Sequence, residues 1–305
     1  MKWRMFICAI CFLIGGCSLN IPLEDQFSDP DAITDVLSAR SLLASAYKAM
    51  PQQIFQLSVL SDDFCPSQHL NKDMSLQGLY NWREVEMTEL AGTLWAGYYA
   101  VIAEVNALLA RIDAVVTLDE TEKLEKMRIV CEAKALKSWC YFDLLRLFAP
   151  RYEGNENKDG IILKKRVELD FLPRSSVKEC VTEIRTLLNE ARNVDNTQKN
   201  VYWLSDKAVA YLQVELELYA GNYPAVLELT KDLETEYPES VLGADVYKYL
   251  WSSENSDARI FGKYQLEQIY MDIRFDTFEK GDYLVLSQNV DYEEEARNHR
   301  DFLTG

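Results

Sequence analysis

Apolar side chains recur at steps of three and four along most of the chain, which is the period of an α-helix with one buried face. The clearest run lies between residues 94 and 112. From residue 133 to residue 148 the apolar positions surround the predicted helix on nearly every side, so we expect this segment at the buried centre of the fold. After about residue 255 the pattern weakens, and 259–264 and 283–286 predict short strands. The pattern as a whole predicts a mostly α-helical protein.

Capping signals divide this pattern into separate helices. We expect the first helix to begin at Pro30, with Asp29 as its cap, and to run to about Met50. The stretch from Asp119 to Glu122 has the form of a capping box, which predicts a long helix that ends before Pro150.

The segments that follow predict helices in pairs. The stretch from Ser176 to Glu179 caps a helix that ends near Arg192. Residues 205–220 and 224–236 then form a helical hairpin around Gly221, in the manner of a tetratricopeptide pair. The side chains that we expect to face each other in this hairpin are Ala208, Tyr211 and Leu212 on one helix and Val226, Leu229 and Leu233 on the other.

The N-terminus has the pattern of an export signal. Lys2 and Arg4 precede an apolar run over residues 5–14, which is too short to span a bilayer but has the size of a signal-peptide core. The run ends in Leu-Ile-Gly-Gly-Cys17, which resembles a lipobox, the cleavage and acylation site of bacterial lipoproteins. An ordinary signal peptide with a chance cysteine is the alternative. We therefore predict a signal peptide at 1–16, lipid attachment at Cys17, a lipidated tether at 17–30 and a helical domain at 31–305.

The charge of the chain excludes some partners. The formal net charge is −17, and removal of the N-terminal segment with its two basic residues makes it more negative. Such a surface repels nucleic acid and anionic lipid headgroups. We found no second hydrophobic stretch that should cross a membrane, so we expect the membrane to be contacted through the lipid anchor only.

The remaining cysteines are expected to be buried free thiols. Cys131 and Cys140 lie on one predicted helix, nine residues and about 13.5 Å apart, which is beyond the reach of a disulfide. Cys65 and Cys180 form no CxxC pair with them, and a buried thiol behaves as a small hydrophobic side chain.

Enzymatic chemistry finds little support in the sequence. His69 and His299 are the only histidines, which leaves little material for a metal site or a histidine-based triad. Asp62 and Asp63 are neighbours on a predicted loop and lack the set separation of a glycosidase pair. We predict a protein that is not an enzyme and that uses no metal and no cofactor.

Several stretches, taken in order, resemble the SusD/RagB lipoproteins of polysaccharide-utilisation systems. They are Ser38-Ala-Arg-Ser-Leu-Leu43, the Trp95 to Ile112 stripe, Glu132-Ala-Lys-Ala to Phe148, Pro173-Arg-Ser-Ser176 and the Ala208 to Lys231 hairpin. The resemblance implies tetratricopeptide-like helix pairs, an α-solenoid, with an irregular loop-rich lobe. It also implies a lipoprotein at the outer membrane, on the cell surface, that captures an oligosaccharide or polysaccharide for a TonB-dependent, SusC-like transporter.

Two departures from the family pattern matter. Lys137 and Ser138 stand where relatives commonly have Arg-Ala, and we expect both to be harmless on a helix surface. The chain also ends at Gly305, where relatives continue, so we expect the C-terminal lobe and part of the glycan-binding face to be incomplete. A lipid-anchored helical-repeat scaffold that binds protein without sugar is therefore the alternative function.

The polar, aromatic segment between the first two long helices is the best candidate for a glycan site, because loops of this kind carry function. Its candidate residues are Asp62, Tyr80, Asn81, Trp82 and Arg83, with Asp63, Gln68 and Asn71 nearby in sequence. The competing interpretation is that Tyr80 and Trp82 only hold the loop on the core. Of the other tryptophans, Trp203 and Trp251 are weaker candidates, whereas Trp95 and Trp139 are expected in the core.

Overall fold

The computed structural model describes residues 33–66, 74–168, 170–192, 202–236, 260 and 283–285. Within these ranges the elements are α1 (Val36–Lys48), α2 (Ile54–Leu60), β1 (Phe64–Pro66), α3 (Met74–Tyr80), α4 (Glu84–Arg111), α5 (Glu120–Phe148), α6 (Val177–Ala191), α7 (Asp206–Tyr219), α8 (Tyr223–Glu236) and β2 (Tyr283–Val285). The predicted signal peptide, Cys17, the tether and Trp251 lie outside the described residues. The mostly α-helical architecture is confirmed.

The long helix α5 lies at the centre of the fold, as its all-round apolar pattern predicts. It contacts α1, α4, α6 and α7. Leu136, Leu144 and Leu145 are completely buried, and so is Tyr141. The helix begins where Asp119 accepts a hydrogen bond from the Glu122 amide, which confirms the predicted cap.

The predicted start of the first helix is wrong. Residues 33 and 34 are not helical, and α1 begins at Val36. The Asp35 carboxylate accepts a hydrogen bond from the Ser38 amide at 2.7 Å, while Ser38 Oγ accepts one from the Asp35 amide. This reciprocal capping box satisfies two backbone donors, so Asp35 and not Asp29 determines where the helix starts.

The segment predicted as a loop contains two short helices, α2 and α3, each of seven residues. Two turns are too few to establish an apolar period in the sequence. The two helices pack against each other and against β1. Strand β1 pairs antiparallel with β2, with Phe64 opposite Val285, so the strand predicted near residue 283 is confirmed.

The helical hairpin of α7 and α8 is confirmed, and so is the predicted face of α8, but the predicted face of α7 is wrong. Ala210 and Val214 of α7 pack with Leu233 of α8, and Val226 and Leu229 pack against this cluster. Ala208 belongs to the main core instead, and Tyr211 is about half exposed. The face is displaced because α7 must also bury residues against α5 and α6, which leaves a different side for α8.

Lys137 and Ser138 are buried, so the expectation that they lie on a helix surface is wrong. Neighbouring elements surround α5, and this part of the helix has no solvent face. Lys137 Nζ donates to Asn106 Oδ1 of α4 at 2.6 Å, and Ser138 Oγ donates to the Lys134 carbonyl at 2.8 Å. Burial lowers the pKa of Lys137 to about 8.

A buried ion pair joins α1 to α5. Arg40 Nη1 lies 3.0 and 2.9 Å from the two carboxylate oxygens of Glu132, whose side chain is completely buried. Arg40 also contacts Glu125 of the same helix at the protein surface. The Arg40 guanidinium lies 5.0 Å from the ring centroid of Trp203, whose ring in turn meets the edge of Tyr47 at 5.1 Å. The cluster therefore ties the segment before α7 to the first helix.

Other expectations for the core are confirmed for the side chains that the structure describes, which do not include that of Cys65. Cys131, Cys140 and Cys180 are buried free thiols, and Trp95 and Trp139 pack against the core. Our expectation about membrane spans needs a correction, because α4 is long and apolar enough to cross a bilayer by length and composition. Its apolar stripe is packed against α1 and α5, which is the arrangement of a core helix.

Replacement of Glu132 by Gln should destabilise the fold by about 3 kcal/mol, because Arg40 loses its buried counterion. The matched control is Glu125→Gln, which removes the partly exposed partner of the same arginine and should reduce stability by less than about 1 kcal/mol. Urea unfolding followed by circular dichroism gives both values. Equal losses in the two variants would show that the buried pair is not a special contributor.

The contribution of Lys137 to the stability of the fold should become less unfavourable between pH 8 and pH 10. Because the folded-state pKa of Lys137 lies below its ordinary value of 10.5, the folded chain releases this proton before the unfolded chain does. The unfavourable buried charge is fully present below pH 8 and disappears as the pH approaches 10.5. Over this pH window, the free energy of unfolding of wild type should increase by on the order of 2 kcal/mol relative to that of Lys137→Met, as measured by urea unfolding. A constant difference between the two proteins would contradict the assignment.

Candidate functional site

Trp82 occupies a backbone conformation that tryptophan rarely adopts. It follows the end of α3 with φ of +54°, in the left-handed region. The Trp82 amide donates to the Leu79 carbonyl at 3.0 Å, and the Arg83 amide donates to the Gly78 carbonyl at 2.8 Å. These two hydrogen bonds form a Schellman motif, in which the position held by Trp82 is usually glycine.

Asp62 occupies the same position at the end of α2. Its φ is +65°, and the amides of Asp62 and Asp63 donate to the carbonyls of Val59 and Ser58 at 3.3 and 2.9 Å. Aspartate tolerates this conformation better than tryptophan does, because it is short and polar. The predicted turn at Gly221 has the same geometry with φ of +71°, and there glycine removes the steric penalty.

The left-handed conformation of Trp82 costs about 1–2 kcal/mol, since Cβ approaches the following carbonyl oxygen. Burial of the indole would offset this cost, but 61% of the Trp82 side chain is exposed. The turn thus combines a strained backbone with a large aromatic ring that is mostly exposed to solvent.

The other candidate residues at this turn have distinct environments. Tyr80 is half-buried and packs against the core, so it holds the turn in place. Asn81 Nδ2 donates to the Gln77 carbonyl at 2.8 Å, which fixes the amide beside the end of α3. The Arg83 guanidinium pairs with Glu86 at 2.9 Å and remains about half exposed. Trp82 is therefore the one aromatic ring of this turn that faces solvent.

The structure brings these residues into one small substructure. Asp62 ends α2 and Trp82 ends α3, and the two helices pack against each other, against β1 and, for α3, against α4. Strand β2 lies next to β1, so residues from the far end of the chain reach the same region. Gln68 and Asn71 lie outside the described residues.

Other sequence candidates have structural roles or no visible support. Trp203 is packed between Tyr47 and Arg40 and is not a free platform. Over the ranges that the structure describes, no group of three or more His, Cys, Asp or Glu side chains could hold a metal ion.

Sequence reasoning selected this turn but missed its geometry. The usual local signal for a Schellman motif is a glycine after the helix, and it is present at Gly221 but absent at Asp62 and Trp82. A helix of seven residues also gives no periodic signal of its own. The end of α3 was therefore invisible in the sequence.

Comparison with solved structures gives many similar folds. A SusD-like carbohydrate binding protein from Bacteroides vulgatus ATCC 8482 matches with a TM-score of 0.64 and 16% identity, over 82% of this chain and 56% of that one. A putative sugar binding protein from the same organism matches with a TM-score of 0.62 and 21% identity, over 75% and 54%. A laminarin binding SusD-like protein matches with a TM-score of 0.55 and 19% identity, over 74% and 50%. The chain thus spans about half the length of these proteins.

Sequence comparison agrees with the fold. No curated protein matches the sequence. The family model described as SusD-like, starch-binding associating with outer membrane, matches residues 23–214, which is more than half of the chain. The chain therefore belongs to the SusD-like family.

Proposed function

We propose that this protein is a lipoprotein that binds oligosaccharide or polysaccharide at the cell surface, through the turn that carries Trp82. Membership of a family described as starch-binding supports the class of ligand. The exposed, strained Trp82 is the single observation that supports this location of the site. The free-energy cost of its backbone conformation is not offset by burial of the side chain within the described fold.

The chemistry of the turn suits a sugar. The flat indole of Trp82 offers an apolar surface for the C–H face of a sugar ring. Asn81, Arg83 and Asp62 supply planar amide, guanidinium and carboxylate groups that can exchange hydrogen bonds with hydroxyls. The hydrogen bond of Asn81 to Gln77 and the ion pair of Arg83 with Glu86 hold these groups in place before ligand arrives.

Binding of this kind needs no covalent step. Stacking and hydrogen bonding retain the glycan, and a transporter moves it onward. We therefore propose a binding protein without catalytic activity and without a metal or cofactor.

Substitution of Trp82 by Gly separates binding from folding. Glycine relieves the left-handed strain, so the free energy of unfolding should stay within about 1 kcal/mol of wild type. A tryptophan that holds a loop on the core would instead cost about 3–5 kcal/mol on removal. Retardation of the protein in native gels that contain starch, laminarin or other neutral polysaccharides should be lost.

The matched control for this substitution is Tyr223→Ala, which removes a similarly exposed aromatic ring from the start of α8. It should leave the retardation unchanged. Full retention by Trp82→Gly would sink the assignment of this turn, and a folded wild-type chain retarded by no polysaccharide would contradict the proposed function.

Lipid attachment at Cys17 and a TonB-dependent, SusC-like partner complete the proposal. A tagged chain solubilised from outer membranes in mild detergent should bring down a TonB-dependent transporter, identifiable by mass spectrometry. Cys17→Ser removes the thiol that accepts the lipid and should release the chain into the soluble fraction. Membrane retention of Cys17→Ser, or purification of wild type without a transporter, would count against the anchor or the partner respectively.

A further inference from the structure

Gly78 lies inside the seven-residue helix α3, a position at which glycine destabilises a helix relative to alanine. A methyl group on this residue would lie 2.5 Å from Glu86 Oε1 and 2.6 Å from Glu86 Cγ. Both distances are much shorter than a van der Waals contact, so the Glu86 carboxylate group occupies the space that a side chain at residue 78 would fill. The glycine therefore allows the first turn of α4 to lie directly against α3.

Gly92 shows that this close approach is particular to Gly78. It also lies inside a helix, α4, but a methyl group there would meet no atom within 4 Å. Alanine could therefore replace Gly92 without a new contact, whereas alanine at position 78 would displace the Glu86 side chain. The two glycines form a matched pair for testing this contact.

The Glu86 side chain lies against Gly78 and also pairs with Arg83. Glu86 Oε1 is 2.9 Å from Arg83 Nη2, and only 16% of the Glu86 side chain is exposed, compared with 47% of the Arg83 side chain. The Gly78 carbonyl in turn accepts the hydrogen bond from the Arg83 amide at 2.8 Å. Gly78 thus fixes Arg83 directly through the backbone and indirectly through the position of Glu86.

This ion pair changes what Arg83 can bind. An exposed guanidinium next to Trp82 would otherwise suit the carboxylate or sulfate group of an acidic ligand, because its N–H donors match planar oxyanions. With Glu86 already in contact, such a ligand must displace a carboxylate that is mostly buried between α3 and Arg83. A neutral hydroxyl can instead accept from the remaining N–H donors without breaking the pair.

The charges around the turn have the same effect. Residues 54–66 and 74–89, which contain α2, β1, α3 and the start of α4, carry five carboxylates and one guanidinium, a net charge of −4. The carboxylates belong to Asp62, Asp63, Glu84, Glu86 and Glu89. Because charges farther than roughly 8 Å are screened at physiological ionic strength, these local groups determine the charge that a ligand meets at the turn. They repel an anion and leave a neutral ligand unaffected.

We propose that Glu86 is a specificity-determining residue that excludes acidic glycans from the Trp82 site, and that Gly78 is the residue that positions it. The inference rests on the proposed function for the existence of a binding site at Trp82. It adds the class of ligand that the site rejects, namely polysaccharides that carry carboxylate or sulfate groups.

Urea unfolding tests the contact between Gly78 and Glu86 without any ligand. Gly92→Ala should raise the urea midpoint, because alanine favours the helix and meets no neighbour there. Gly78→Ala should raise the midpoint less in wild type than in the Glu86→Ala background, where the space beside residue 78 is empty. The same effect of Gly78→Ala in both backgrounds would overturn the positioning role of Gly78.

Hexagalacturonate, titrated calorimetrically into the full chain in nonionic detergent at low ionic strength, tests the exclusion. Glu86→Gln keeps the size of the side chain and removes its charge, so it should bind this probe at least about ten-fold more tightly than wild type does. Gly78→Ala should shift the affinity in the same direction, because it displaces Glu86. The matched control is Glu89→Gln, which removes an equal, exposed charge one turn farther along α4 and should change the affinity by less than about two-fold.

The double variant Trp82→Gly/Glu86→Gln locates the gain. It should bind hexagalacturonate no more tightly than wild type does, because the ring beside Arg83 is gone. A gain that persists in the double variant would place the probe elsewhere and overturn the role of Glu86 at this site. Wild type that binds hexagalacturonate as tightly as Glu86→Gln would also overturn it.

Native gels with neutral polysaccharides, run on the same variants, separate this inference from the proposed function. Retardation of wild type by a neutral polysaccharide, without a gain of hexagalacturonate binding in Glu86→Gln, would overturn the exclusion and leave the proposed function standing. A gain in Glu86→Gln that requires Trp82, without retardation of wild type by any neutral polysaccharide, would support the exclusion and contradict the proposed function.

Discussion

The burial of the middle of α5, between Ile129 and Leu145, is the constraint on which the rest of the structure depends. Where a helix has no solvent face, its polar side chains must find partners inside the protein. Glu132 is matched by Arg40, Lys137 by Asn106, and the Tyr141 hydroxyl by the Lys164 carbonyl. Each match recruits a different neighbour, namely α1, α4 and the irregular segment before α6. The central helix therefore fixes the relative positions of elements that are distant in sequence.

This constraint also explains why the irregular segment is ordered. Residues 149–168 and 170–176 contain no helix, yet several of their backbone groups are paired with side chains of Tyr99, Asn106 and Arg174. The pairing compensates for the absence of a regular hydrogen-bond ladder. A rigid segment that is not a helix can present side chains in directions that a helix cannot.

Sequence reasoning succeeded where burial imposes a period and failed where local geometry decides. The long helices α4 and α5 were found because many turns repeat the same buried face. The short α2 and α3 were missed because seven residues carry too little pattern. Lys137 was misplaced for another reason: its residue type suggested the surface, although the apolar surroundings already indicated a helix buried all round. The expectation for Lys137 gave the charge of one residue more weight than the apolar pattern of the segment around it.

The candidate site illustrates the same division. Three tryptophans of the described chain show what the residue type alone cannot predict. The centroids of the Trp95 and Phe148 rings lie 5.0 Å apart, and the Arg174 guanidinium lies over the Trp95 ring. The Trp203 ring packs against Tyr47, so both tryptophans stabilise the fold through packing. Trp82 has the same side chain with neither the packing nor the relaxed backbone.

Local rules and global packing agree over most of this chain, from the Asp35 cap to the Arg40 ion pair. In a protein that satisfies its polar groups so consistently, a residue with an unfavourable local conformation and no compensating contact is a good candidate for a functional residue. Trp82 is such a residue, because it holds a left-handed backbone conformation while its large ring stays exposed. The turn at the end of α3 is therefore the place where binding energy could repay the strain.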